Sequence, residues 1–256
     1  MINIVASIGF PSLELWAPSG INILRYSGAK IPEQLLRLAD ALFINSKTDL
    51  NFDFSNYPKI RFIATGTSGT DHLPIKMLEA NDIQWLNTPG CNAHAVTDYV
   101  LATLCDWARL KRLRLTELAL GIIGVGEVGS RLARRARNLG IGVFLNDPIR
   151  NLEGSLPQHV NIEELFKKVD VISIHVPATY NQPFSTQHLV TGTMIKCLDS
   201  GLFINSSRGS VVSHSVLVSS RNVDLVLDVF PDEPLIPCVL AEKAWQITPH
   251  IAGSSI

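Results

Sequence analysis

Arg208 in NSSRGS, Glu233 in FPDEP and His250 in TPHIAG combine the side-chain types that a proton-coupled redox step needs. Each follows a short apolar run that reads as a buried strand, so all should face one rim of a parallel sheet. The chemistry they suit is hydride transfer from a 2-hydroxy acid. Arg208 would grip a carboxylate with its planar fork and polarise the developing carbonyl. His250 would take the hydroxyl proton as hydride leaves, or return it in reduction. Glu233 would hold the imidazole in one tautomer and raise its pKa through an adjacent negative charge. Singly, an Arg in a Ser/Gly loop, an Asp-Glu-Pro turn and a loop His are commonplace. Their coincidence on one rim carries the argument. Asp228, two residues before Phe230, suits either orientation of a nicotinamide carboxamide or capping of its own strand. His175 and His94 read as structural.

A hydride acceptor needs a cradle, and the stretch Leu118 to Pro148 has the residues for one. The apolar run Leu118 to Ile123 breaks into Gly124, Gly126 and Gly129 at G-x-G-x-x-G spacing and enters an amphipathic segment from Glu127 to Leu139. Gly124 permits the tight turn, Gly126 lets backbone approach a pyrophosphate, and Gly129 lets helix pack closely on strand. The helix N-terminus offers unpaired N–H groups to that anion. A second strand, Ile141 to Leu145, ends at Asp147, placed to accept from ribose hydroxyls. Its charge would repel a 2′-phosphate, so NAD is expected over NADP, with nearby Arg150 as the group able to reverse that preference.

Elements that hold these groups are legible as alternating apolar and amphipathic segments, the pattern of a parallel α/β layer. Strands are expected at Ile2–Ala6, Ile21–Leu24, Ala41–Ile44, Ile60–Ala64 and Ile83–Leu86, with short helices over Pro32–Ala39 and Pro74–Ala80. TGTSGTDH, straight after one of these strands, is either a ligand loop or an ordinary polar turn. Asn92 to Leu115 reads as the longest helix, with apolar positions at Val96, Val100, Leu104 and Trp107. Its basic end, RLKRLRL, reads as a solvated helix terminus. Beyond Asp147 the expected helices are Ile162–Lys168, Thr191–Leu198 and Ser213–Ser219. They alternate with strands Val169–Ile174, Gly201–Ile204, Val223–Leu227 and one around Trp245–Ile247.

Composition excludes several classes. With 46% hydrophobic and 18% charged residues over 256 positions, the chain is globular and long enough for a substantial core. Balanced charge, 22 basic against 23 acidic residues, gives no electrostatic footprint for nucleic acid or an anionic membrane. No apolar run approaches the roughly 20 residues of a membrane span. Four dispersed cysteines show no metal spacing and fit a reducing compartment, so a cytoplasmic location and no metal are expected.

Together, GIIGVGEVG, NDP, INSSRGSVV, LDVFPDEP and TPHIAG resemble the D-isomer-specific 2-hydroxyacid dehydrogenases. FIATGTSGTDHLP, NTPGCNAHAVTDYV and YNQPFSTQHLV are similar to one branch, the erythronate-4-phosphate dehydrogenases, which oxidise 4-phospho-D-erythronate to 2-oxo-3-hydroxy-4-phosphobutanoate in pyridoxal 5′-phosphate (vitamin B6) biosynthesis. The resemblance implies an α/β protein: a Rossmann-type doubly wound sheet for NAD over 94–256 and a smaller flavodoxin-like substrate domain over 1–93. It implies catalytic Arg208, Glu233 and His250, with cofactor contacts from Gly124, Gly126, Glu127, Val128, Gly129, Asp147, Val176, Ser206, Ser207, Asp228 and Gly253. Ser46, Thr67 and Ser254 would contact a small phosphorylated hydroxy acid, and a homodimer is the candidate assembly. The branch usually has Arg, Thr and Tyr where this chain has Asn45, Val176 and Ser254. The family also continues past the position of Ile256, so a chain apparently lacking the C-terminal segment, with weak turnover, is expected. Alternatives are a dehydrogenase or reductase for another D-2-hydroxy acid and a truncated, non-catalytic NAD-binding protein.

Overall fold

Aliphatic runs bounded by Gly, Pro, Asp or Asn become the strands of two parallel sheets. The structure, a computed structural model, describes all residues except 157, 182, 232, 234, 255 and 256; positions 232 and 234 of the FPDEP segment therefore lie outside the description. The chain divides into two compact units, residues 1–91 and 92–256.

In the first unit, β1 (Ile2–Ser7), β2 (Ile21–Tyr26), β3 (Ala41–Ile44), β4 (Phe62–Thr65) and β5 (Gln84–Leu86) lie in the order β2-β1-β3-β4-β5. This is the flavodoxin-like order, whose reversal between β1 and β3 opens a crevice at the carboxyl ends of those strands. Val5, Leu42, Ile44, Phe54, Ile63 and Leu78 form the core. Helices α1 (Glu33–Leu36) and α2 (Ile75–Ala80) are short. The expected helix to Ala39 stops at Leu36 because Leu38 and Ala39 bond back three residues, to Leu35 and Leu36, a tight winding that feeds β3.

The second unit opens with α3 (Ala93–Lys111), whose Val100, Leu104 and Trp107 are buried. It ends before the expected Leu115 because Arg112 adopts a left-handed φ of 58° and Leu113 N–H turns back to Ala108 O. Then follow β6 (Ala119–Ile123), α4 (Glu127–Asn138), β7 (Gly142–Asn146), α5 (Pro148–Leu152), α6 (Ile162–Lys168) and β8 (Val171–Ile174). The unit continues with α7 (Gly192–Cys197), β9 (Leu202–Asn205), α8 (His214–Ser219), β10 (Asp224–Leu227), α9 (Cys238–Lys243) and β11 (Gln246–Ile247). The sheet order is β11-β10-β9-β8-β6-β7, doubly wound with its reversal between β6 and β8. Every residue of β8 and β9 is buried, as strands covered by helices on both faces must be. One face packs Leu104, Leu120, Leu132 and Ile204; the other packs Phe166, Ile172, Phe203 and Leu225.

Candidate active site

At the end of β6 the chain turns on Gly124, with φ of +87°; a Cβ there would lie 2.5 Å from the carbonyl oxygen of His175. A Cβ on Gly129 would lie 2.0 Å from the Gly124 carbonyl oxygen, so this glycine sets how closely α4 sits on the turn. At Gly126 a Cβ would meet nothing within 4 Å: this backbone faces open space at the N-terminus of α4. Glu127 pairs with Arg131 at 3.1 Å and Val128 packs on the core, which leaves their backbone N–H groups in the first helical turn for an anion. A cavity of about 670 Å³ adjoins them, lined by Gly126, Glu127, Ser130, Asp147, Ile149 and Arg150.

Asp147 ends β7 as expected, but its carboxylate also braces the turn. Oδ2 accepts from Val125 N–H at 2.9 Å, and Oδ1 accepts from Arg150 N–H at 3.1 Å, capping α5. The Arg150 guanidinium bonds the Val125 carbonyl through Nη1 and Ser155 Oγ through Nε. On the β9 side, Ser206 Oγ is buried with no hydrogen-bond partner among the described residues. A bare glycine turn, free helix amides, an acid at the next strand end and an orphaned hydroxyl fit a dinucleotide. Val176 contributes packing: its Cγ1 lies 2.8 Å from the position a Gly124 Cβ would take. Ser207, expected at the cofactor, is buried and turns inward, its hydroxyl and N–H both donating to Asn205 Oδ1.

Arg208, Glu233 and His250 are carried by loops after β9, β10 and β11, and parallel strands place those loops on one rim. A Cβ on Gly209 would lie 1.9 Å from the Phe230 carbonyl oxygen, so the glycine after Arg208 lets its loop press against the one bearing Glu233. Glu233 accepts from Phe230 N–H at 2.9 Å through Oε1, and its Oε2 lies 2.7 Å from His250 Nδ1. The hydrogen bond to Glu233 raises the His250 pKa above its ordinary value; its charge and that of Asp228 add to this, while desolvation and the Arg208 charge oppose it. Burial pushes Glu233 up, but bonds from His250 and Phe230, with the charges of His250 and Arg208, hold it below its usual value. The half-buried Arg208 bonds the Ser207 carbonyl through Nη1 at 2.8 Å.

Asp228 proves to hold the last loop. Buried to 1% exposure, it accepts from Thr248 Oγ1 at 2.6 Å and Ile251 N–H at 2.8 Å through Oδ1, and from Ala252 N–H at 2.9 Å through Oδ2. Gly253 sits where a Cβ would lie 2.6 Å from Asn92 Nδ2, and Ser254 is exposed, its N–H bonded to Ile251 O. His175 is kept neutral by burial, its pKa pushed down to about 3, and the exposed His94 pairs with Arg131. Among the described residues no cluster of His, Cys, Asp or Glu could hold a metal, and no helix is long and apolar enough to cross a membrane.

In the first unit, Ser46 is exposed in the turn after β3, and Thr67 follows β4 with its hydroxyl donating to Gly69 O at 2.9 Å. Asn45 donates to Ser7 Oγ at 2.9 Å, tying the ends of β3 and β1 together at the crevice.

Residues 93–252 match the family model for the NAD binding domain of D-isomer specific 2-hydroxyacid dehydrogenases. An erythronate-4-phosphate dehydrogenase of Bacteroides thetaiotaomicron is 37% identical over 234 residues, 89% of this chain and 67% of the relative. One from Pseudomonas fluorescens is 36% identical over 259 residues, 99% of this chain and 68% of the relative. The chain thus spans about two thirds of the length of these relatives, and 62% of one from Proteus mirabilis. Among solved structures, an NAD⁺-bound 3-phosphoglycerate dehydrogenase of Entamoeba histolytica shares the fold at a TM-score of 0.80 and 22% identity, over 98% of this chain and 88% of that one. A D-lactate dehydrogenase of Aquifex aeolicus with NAD and lactic acid shares it at 0.73 and 24%, over 98% and 89%.

Proposed function

This chain belongs to the D-isomer specific 2-hydroxyacid dehydrogenase family, and we propose that within it the chain oxidises 4-phosphoerythronate to 2-oxo-3-hydroxy-4-phosphobutanoate, a step of pyridoxal 5′-phosphate formation. The observation that carries the proposal is the 2.7 Å pair of Glu233 and His250 on the rim of an NAD-binding sheet. The names of the curated relatives support the choice of substrate.

In this proposal a carboxylate keeps the imidazole proton on Nδ1 and leaves Nε2 to accept the proton of the substrate 2-hydroxyl. Glu233 then stabilises the imidazolium, and Arg208 binds the substrate carboxylate and faces the carbonyl oxygen as it forms. Bound NAD supplies a nicotinamide ring that accepts the hydride. The α4 amides beside Gly126 hold the pyrophosphate, Ser206 donates on the nicotinamide side, and the remaining lone pairs of Asp147 receive a ribose hydroxyl. Ser46, Thr67 and Ser254 are assigned to substrate. A homodimer in the cytoplasm belongs to the same proposal and is tested by light scattering and cell fractionation.

A D-2-hydroxy acid without phosphate is the second candidate, favoured by the first unit's rim, where neutral Asn45 is bound to Ser7. NADH formation by the purified chain with 4-phosphoerythronate, D-glycerate and D-lactate separates the two. The first proposal expects 4-phosphoerythronate to give the highest kcat/KM; preference for either other acid overturns it.

A further inference from the structure

The loop that carries His250 is tied to α3, the helix at the opposite end of the second unit's sequence. Tyr99 on α3 places its hydroxyl 2.8 Å from Thr248 Oγ1, and Gln246 Nε2 reaches the same phenol oxygen at 3.4 Å. Thr248 donates its own hydroxyl hydrogen bond to Asp228 Oδ1 at 2.6 Å. A threonine hydroxyl has one proton, so with that proton directed at Asp228 the Tyr99 hydroxyl is the donor to Thr248. The order is therefore fixed: Tyr99 to Thr248 to Asp228. Asp228 in turn receives N–H groups of Ile251 and Ala252 on its side chain and that of His250 on its backbone carbonyl at 2.9 Å. These bonds hold His250 at φ of +55°, a left-handed conformation that a residue with a Cβ adopts only where its surroundings impose it.

We propose that Tyr99 and Thr248 are positioning residues for His250, acting through Asp228 to hold the imidazole against Glu233. The inference rests on the proposed role of His250 as proton acceptor. The relay of hydroxyl and carboxylate is reinforced at Thr248 itself, whose backbone carbonyl also accepts the His250 N–H at 3.0 Å. Buried carboxylates need their lone pairs filled: removal of the Thr248 hydroxyl leaves Asp228 Oδ1 with the Ile251 N–H alone, and removal of the Tyr99 hydroxyl takes away the donor that orients Thr248. The loop then has reason to shift, and the contact between His250 and Glu233 lengthens. Charged groups facing His250 are Glu233 on the β10 loop, Asp228 at the end of β10 and Arg208 on the β9 loop. Thr248→Val takes a donor from Asp228, whereas Tyr99→Phe leaves every donor to Asp228, Glu233 and Arg208 in place, so a change in His250 titration in Tyr99→Phe reports geometry.

The test is the titration of His250 followed by NMR of the 256-residue chain labelled with ¹³C-histidine, together with pH profiles of 4-phosphoerythronate oxidation. Thr248→Val and Tyr99→Phe should each lower the His250 midpoint by about half a unit or more, as the stabilising carboxylate contact loosens. Thr248→Ser, which keeps the hydroxyl, should restore the parent midpoint, and exposed His94 serves as the internal control. Where turnover is seen, the loss should fall on kcat more than on KM. His250 midpoints that coincide in the parent, Thr248→Val and Tyr99→Phe would overturn the proposal. If Thr248→Val fails to fold, Tyr99→Phe, which removes a single oxygen, decides. Displaced midpoints without turnover by the parent chain would sink the substrate assignment and leave the relay standing. Turnover with unmoved midpoints would do the reverse.

Discussion

Glu233 Oε2 lies 2.7 Å from His250 Nδ1 while Oε1 accepts the Phe230 N–H, so the carboxylate that faces the imidazole is itself fixed to the backbone. His250 is shifted up, chiefly by its bond to Glu233, so the neutral, proton-accepting imidazole appears at higher pH than for an ordinary histidine. Oxidation should therefore rise with pH through a midpoint above about 6.5, and reduction should fall through it. Glu233→Gln should move that midpoint down. Rates in both directions across about pH 5 to 9 check this, and an unchanged or higher midpoint would contradict it.

The same pair links pH to stability. The His250 contribution is full below the ordinary 6.5 and is lost as pH rises through its raised folded value. That of Glu233 is full above 4.5 and is lost as pH falls through its depressed folded value. Both are fully present between about 4.5 and 6.5. Urea midpoints of parent and Glu233→Gln should differ most in that window, and the difference should narrow on either side of it.

His250→Asn should lower turnover by about 10²–10⁴, the usual share of a general acid–base group, and leave NADH binding near the parent value. Asparagine tolerates the left-handed backbone at this position, which keeps the comparison free of strain. Arg208→Lys should also be severe, since an ammonium cannot reproduce the bidentate fork. Retained rate in His250→Asn would move the proton to another group.

Asp147→Ala removes the acceptor of both Val125 N–H and Arg150 N–H. Loss of the α5 cap alone should cost about 0.5–2 kcal/mol. The preference for NADH over NADPH should narrow, because a phosphate-repelling charge disappears beside the Arg150 guanidinium. Fluorescence titration with both cofactors and a melting curve read the two effects separately.

Gly209→Ala places a methyl 1.9 Å from the Phe230 carbonyl oxygen, where neither backbone can yield without moving a site residue. A cost of about 1–3 kcal/mol from overpacking is expected, with loss of activity. Gly192→Ala is the control: a Cβ there meets nothing within 4 Å, and the helix start should gain about 0.4–1 kcal/mol. Equal melting temperatures for the two variants would refute the packing argument.

Much of this architecture was legible because buried parallel strands are continuous apolar runs and the glycine spacing fixes the turn between β6 and α4. Leu120, Ile122, Ile172 and Phe203 could hardly be placed otherwise. Polar partners were harder to read. Asp228 admits two roles in sequence, and only the fold shows three donors from the last loop meeting its carboxylate. Ser207 and Asn205 look like loop residues beside Arg208, yet their side chains satisfy one another inside the sheet end. Tyr99 gives no signal at all, because its partner Thr248 is 149 positions away and no periodicity encodes such a bond. Helix ends fared in between: α1 and α3 stop early on local turns, where Arg112 carries no glycine to announce its left-handed backbone.

All five strands of the first sheet come from β1 through β5, the stretch ending at Leu86, and β1 needs partners no later in the chain than β3. During synthesis this register can be completed while the second unit is still being made, so the two parallel sheets need not compete for each other's exposed edges. The second sheet faces a harder assembly. Its central β6 must wait for β8, whose Val171 pairs with Leu120, before its backbone edge is paired on that side. Chaperone dependence should therefore concentrate in nascent chains that have exposed β6 and β7 and have yet to deliver β8.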